Sequence, residues 1–184
     1  MKRIISLILV LSLILSFCTF ASEKDALISS GIIPSGTASE NGGVTRGSFA
    51  EMIVALINME ELTVPYESVY SDIDGETEMG KAIITLTNMK IMSGYSDGTF
   101  RPERELMVSE AVKIIVQLLG YGYKANAYGG YPTGYMYMAN ELKLMNGVVG
   151  AYTDNISYES AVMLIYNSLD VPLSVASGVG ENIT

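Results

Sequence analysis

Thr45-Arg46 is where the chain places the residue types best suited to chemistry. A threonine just ahead of a run with helical apolar spacing caps a helix, so Arg46 falls in the first turn. Free N–H groups and the helix dipole favour an anion there. A guanidinium added to them can grip a carboxylate through two parallel bonds. Anion binding is therefore the chemistry expected at Arg46; the competing reading is a solvated surface charge. Glu110 and Glu159 are the residues a glycosidase with paired carboxylates would use. Both lie at helix starts, where capping and the dipole account for them. Asp72-Ile73-Asp74-Gly75-Glu76 opens like a calcium loop but lacks the third acidic position and the distal bidentate Glu. No metal site, no cofactor and no catalytic residue is expected.

Composition narrows the classes further. There is no histidine, which excludes Ser-His-Asp and Cys-His catalysis within this chain and removes the commonest zinc ligand. The 184 residues carry 11 basic and 20 acidic side chains, a net charge of -9. Such a balance disfavours nucleic acid and anionic membrane surfaces as partners. Residues 1–21 read as a secretory signal peptide: Lys2-Arg3, an apolar run from Ile4 to Phe17, and Thr19-Phe20-Ala21 at the cleavage positions. An uncleaved anchor is the alternative, although the run barely reaches the roughly 17-residue minimum for a span. The single cysteine, Cys18, follows the bulky Phe17, which argues against lipoprotein processing. After cleavage the chain has neither disulfide nor thiol nucleophile.

The elements that must position Arg46 follow from periodicity. Residues 23–30 form a short helix candidate stopped by Gly31. Phe49, Met52, Ile53, Leu56 and Ile57 give the helix after Thr45 one apolar face. Residues 76–89 read as the next helix, with Met79, Ile83, Leu86 and Met89 or Lys90 inward. Val108, Ala111, Val112, Ile115 and Leu119 stripe a third, which stops at Gly120. Residues 121–137 are rich in tyrosine and glycine, and Pro132 opens a helix carrying Met138, Leu142 and Met145 inward. Their tyrosines offer ring platforms for sugars, but sealing a glycine-rich loop is the favoured use. Ser157 caps the last helix, faced by Ala161, Leu164, Ile165 and Leu169 and ended by Pro172; residues 174–184 form a polar, flexible tail.

Between the second and third helices lies residues 89–106, a connector punctuated by Gly94 and by the Asp97-Gly98 turn signal, with Phe100 as its apolar pin. Pro102 forces the next helix to start beyond it. Related segments recur along the chain. Gly31-Ile32-Ile33, Lys90-Ile91-Met92 and Lys143-Leu144-Met145 end helices; Val44-Thr45-Arg46, Leu106-Met107-Val108 and Ile156-Ser157-Tyr158 open them. A spacing of roughly 50 to 60 residues suits a two-helix repeat. One such unit cannot bury its apolar face alone, so three are expected to pack together. Their boundaries are read at residues 22–62, 68–121 and 130–173.

Gly94-Tyr95-x-Asp97-Gly98-Thr99-Phe100-x-Pro102 resembles, without a gap, the connector of the S-layer homology module. The usual form there is Gly-Tyr-x-Asp-Gly-Thr-Phe-x-Pro followed by Ile-Thr-Arg-Ala-Glu. The resemblance spans about Ser22 to Leu173, and departs from the pattern in places. The third unit lacks the connector and the first has a degenerate one. The usual tryptophan is absent, with Met79 near its place. Val108 and Tyr158 stand where arginine would be. The resemblance implies an all-α, pseudo-threefold bundle of helix–connector–helix repeats with grooves between units. It implies that Arg46 contacts an anionic sugar, typically a pyruvylated N-acetylmannosamine of a secondary cell-wall polysaccharide. The implied site is Thr45 and Arg46, walled by Gly94, Tyr95 and Asp97. The implied role is a secreted, non-enzymatic protein of the cell wall or S-layer surface. The alternative is a structural module that self-associates or docks to other surface proteins, its polymer binding decayed. Such triplets usually tether a passenger domain.

Overall fold

Helix starts set this architecture. A computed structural model describes residues 42–57 and 70–174. The leader, the first helix candidate and nearly all of the tail lie outside the described residues. Helix α1 spans Arg46–Leu56. Thr45 Oγ1 accepts from the Ser48 N–H at 3.1 Å, and Ser48 Oγ accepts from the Thr45 N–H at 3.0 Å. Serine thus closes the reciprocal cap that glutamate usually closes. Helix α2 spans Glu78–Asn88 under Thr77, not from residue 76, because the Thr77 hydroxyl takes the Gly80 N–H at 3.0 Å. Helix α3 spans Val108–Leu118. Met107 has no capping oxygen, but Glu110 accepts its N–H at 3.0 Å. Helix α4, Gly122–Ala127, was not expected within the glycine-tyrosine segment. Helix α5 spans Thr133–Glu141 after Pro132, and α6 spans Tyr158–Ser168 under Ser157.

Helices α2, α3 and α5 stop where a residue turns left-handed. Lys90, Gly120 and Lys143 have φ of 60°, 83° and 59°. The N–H groups of Ile91, Tyr121 and Leu144 then reach back to the carbonyls of Leu86, Val116 and Ala139 at 2.8–2.9 Å. This is the Schellman closure, and it satisfies carbonyls that a helix end leaves free. It also turns Lys90 to solvent. Met89 is exposed as well, so neither lies on the inner face of α2. Leu169 is half exposed because α6 ends at Ser168.

The described residues contain no strand, but three isolated bridges join the helix starts. Leu106 N–H donates to Val44 O at 2.8 Å, Val44 N–H to Ile156 O at 3.2 Å, and Ile156 N–H to Leu106 O at 2.8 Å. The ring closes on itself, and all three side chains are fully buried. Backbone polar groups so deep must find partners, and here each finds its counterpart at the next helix start. Around the ring pack Phe49, Met52 and Ile53 of α1, Ile83 and Leu86 of α2, Ile115 of α3 and Leu164 of α6. Each such side chain contributes about 1.5–3 kcal/mol through removal from water. Helix α1 packs on α2, and α3 on α5 and α6. Where α1 approaches α2, a Cβ on Gly47 would stand 2.5 Å from Met79 Sδ, so a larger residue there would require the Met79 side chain to move.

Candidate functional site

The connector docks onto the first turn of α1 and determines what Arg46 can do. Arg46 N–H donates to Arg104 O at 2.9 Å, and Gly47 N–H to Pro102 O at 2.8 Å. With Ser48 N–H on Thr45, the first turn has no free donor left. The expectation that open N–H groups favour an anion here is therefore corrected: the chain's own carbonyls occupy them. The charge at this site is the guanidinium.

Arg46 is not a solvated surface charge. It is 7% exposed, its Nε donates to Phe100 O at 3.1 Å, and an Nη2 hydrogen goes to Ser93 O at 2.9 Å. The guanidinium carbon lies 4.5 Å from the Phe100 ring centre and 5.2 Å from that of Tyr95. Burial lowers its pKa, and nearby Tyr95 and Glu110 oppose that shift. A guanidinium still keeps its proton in proteins. It forms no ion pair among the described residues, and it lines a cleft of about 160 Å³. Lys90, Ser93, Glu110, Lys113, Gln117 and Tyr131 share that lining. Glu110 is bound to Arg104. Lys90 and Lys113 form no ion pair among the described residues, so the cleft is net cationic in a chain of charge -9. Low-dielectric walls around one sign of charge focus the field on an incoming anion.

The residues expected at the site fall into distinct places. Thr45 builds the cap. Tyr95 supplies a ring to three guanidinium groups, with Arg101 at 4.1 Å, Arg46 at 5.2 Å and Arg104 at 5.9 Å. Gly94 lies away from the cleft lining, and its lack of a side chain serves packing. A Cβ there would stand 2.3 Å from the Tyr70 ring and 2.5 Å from Thr99 O. Gly98 is the residue that needs glycine's conformational freedom, at φ 80°. Asp97 is exposed and faces its own turn. It accepts from Thr99 Oγ1 at 2.6 Å, Thr99 N–H at 3.0 Å and Arg101 Nη2 at 2.8 Å. Those bonds, the Thr99 hydroxyl first, bring its pKa down to about 2.

Phe100 is fully buried, as a pin should be. Its N–H and that of Arg101 donate to the two Asp72 oxygens at 2.8 and 2.7 Å. Burial works to raise the Asp72 carboxyl, but these bonds outweigh it and hold it low. Asp72 and Asp74 thus use their carboxylates on backbone N–H groups. Glu110 is likewise engaged, by Arg104 and by Met107 N–H. From sequence, Lys90 is named only as a helix-end residue, and Ser93, Lys113, Ile114 and Gln117 of the cleft are not named at all. The helix-stop position of Lys90 and the i+3 spacing of Lys113 from Glu110 are the signals they carry.

At the positions matching Arg46, Val108 is fully buried and Tyr158 is half-buried. Val108 N–H donates to Asp154 O and Ser109 N–H to Tyr152 O, at 2.9 and 3.0 Å. The backbone docking seen at α1 therefore recurs at α3 without the arginine.

Residues 69–106, the stretch ending in the connector, match the S-layer homology domain. The chain is 25% identical over 134 residues to a surface layer protein of Brevibacillus choshinensis, covering 72% of this chain and 11% of that protein. It is 24% identical over 107 residues to a middle cell wall protein of Brevibacillus brevis, covering 57% and 10%. The chain thus spans about a tenth of the length of these relatives. Residues 69–106 thus carry an S-layer homology domain, in a chain that is similar to surface-layer and cell-wall proteins.

Proposed function

We propose that this is a non-enzymatic, secreted protein of the bacterial cell surface that holds to an anionic secondary cell-wall polysaccharide through the Arg46 cleft. The pyruvylated sugar implied by the S-layer homology resemblance is the group we assign to the guanidinium. One observation carries the reading: Arg46 is buried beneath the connector, without an ion pair among the described residues, at a cleft that also holds Lys90 and Lys113. A ketal carboxylate meets the fork bidentately, and the two ammonium groups add unspecific attraction. The similarity to surface-layer and cell-wall proteins supports the location. The repeats pack around a common axis, a reading supported by the closed ring through Val44, Leu106 and Ile156.

Sedimentation with purified cell walls tests the assignment. The wild type is retained, retention weakens with salt, and Arg46→Ala stays in the supernatant. Walls stripped of polysaccharide by hydrofluoric acid retain neither. Equal retention of Arg46→Ala would remove Arg46 from the site.

A second reading is favoured by Val108 and Tyr158. With arginine at one of three matching positions, the remaining surface serves contact with other copies or other surface proteins. Light scattering of the Arg46→Ala variant separates that role, because self-association survives the loss of polymer binding.

A further inference from the structure

The tyrosines of residues 121–137 divide sharply in the structure. Tyr135 is buried, and Tyr121 and Tyr123 are half-buried. Their hydroxyls reach Pro172 O at 3.1 Å and Ser174 Oγ at 3.3 Å. Tyr121 and Tyr123 thus tie the α4–α5 segment to residues 172–174, and the Tyr135 hydroxyl reaches Asn126 within the segment. Tyr128, Tyr131 and Tyr137 are instead 56%, 45% and 43% exposed. Of these three, Tyr131 lines the Arg46 cleft.

Tyr131 is also held in place. Its hydroxyl shares a hydrogen bond with Ser109 Oγ at 3.0 Å. Its ring meets Tyr135 edge-on, with centres 6.4 Å apart, and Lys113 Nζ stands 5.5 Å from its centre. Packing does not account for a ring nearly half in water. Holding it beforehand removes an ordering cost that a ligand would otherwise meet. Elsewhere in the same segment, Tyr128 and Tyr137 lie with ring centres 4.6 Å apart, tilted by 35°.

We infer that Tyr131 is a stacking platform for a neutral pyranose ring, the neighbour in the same chain of the anionic sugar held at Arg46. This rests on the wall-polymer reading. Continuity identifies the occupant, because the ring borders the cationic cleft and shares its lining with Lys113. A pyranose presents an apolar C–H face with a hydroxyl rim. Tyrosine offers the matching surface, an apolar face beside a polar edge. The cationic cleft reads the charge of the polymer; the ring reads its length.

The test titrates the full chain with two probes: wall polysaccharide released by hydrofluoric acid, and the methyl glycoside of pyruvylated N-acetylmannosamine. In Tyr131→Ala the polysaccharide-to-monosaccharide affinity ratio falls about tenfold, the scale of one lost ring contact. Tyr131→Phe restores most of that ratio, since the face remains. In the wild type, saturating the Tyr131 ring protons transfers magnetisation to sugar C–H protons, which checks the contact without a variant. An unchanged ratio in Tyr131→Ala, or no such transfer, overturns the platform while leaving the cleft intact. A wild type that binds neither probe overturns both readings, and binding of a surface-protein partner lost in Tyr131→Ala would assign the ring to that partner instead.

Discussion

Residues 89–106 and residues 143–156 do the same mechanical task with different side chains. Each leaves a helix at a left-handed lysine, Lys90 or Lys143, and returns to the central ring at Leu106 or Ile156. Each gives two carbonyls to the first turn of another helix, Pro102 and Arg104 to α1, Tyr152 and Asp154 to α3. The first connector is closed from within. Phe100 is fully buried, Asp72 holds its backbone, and Asp97 ties Thr99 to Arg101. The second has fewer ties. Asp154 takes the Ala151 N–H at 2.7 Å, Ser160 Oγ bonds the Val149 backbone, and Val149 and Tyr152 face solvent. The difference teaches that backbone register here does not depend on the residues that could bind a ligand. Arginine can give way to valine at the matching position while the docking hydrogen bonds persist.

Phe100 gives the largest expected contrast. Phe100→Ala opens a cavity under the first connector and costs about 3–5 kcal/mol, whereas Tyr152→Ala in the second stays within about 0.5 kcal/mol. Urea unfolding of both variants checks this, and similar losses would mean the connectors are equally closed. Gly94→Ala follows, at about 1–3 kcal/mol, because its Cβ would collide with the Tyr70 ring and Thr99 O. Gly98→Ala meets open space and costs about 1–2 kcal/mol from its left-handed backbone alone. A combined Gly94→Ala and Tyr70→Phe variant sharpens the point, since the ring remains and the clash should persist.

The smallest effect is a pH dependence confined to the first connector. The Asp97 pKa is lowered from 3.8 to about 2, so its contribution is present above pH 3.8 and lost as pH falls through 2. Asp97 is exposed, so the change is local. The Thr99 amide shift should titrate in that window, and Asp97→Asn should remove the step, whereas the Arg101 amide sits on Asp72 and follows that carboxylate. A step that persists in Asp97→Asn would assign it to another carboxylate.

The sequence made the helix starts legible because caps are local. Thr45 and Ser157 cap as their types require, and Glu110 keeps its half of the box beside Met107. Phe100 was readable as the one large apolar residue in a polar turn. Helix α4 escaped notice because Gly122–Ala127 is too short to show a period and lies among glycines. Leu169 continued the apolar spacing of α6 beyond the point where the helix ends. At the site, Arg46 was legible from its motif, but its burial was not. The carbonyls that cover it come from Ser93 and Phe100, 47 and 54 residues away. Lys90, Lys113 and Tyr131 carry no shared pattern; packing of α2, α3 and the α4–α5 segment brings them to one cleft.

The most direct test is calorimetric titration of hydrofluoric-acid-released wall polysaccharide into the wild type and Arg46→Met, with circular dichroism confirming that both are folded. Methionine keeps the buried stem and removes the fork, leaving Ser93 and Phe100 carbonyls unpaired at about 1–3 kcal/mol. The account predicts salt-sensitive binding by the wild type and at least about a tenfold loss in Arg46→Met. Equal affinity of the two folded proteins would contradict it.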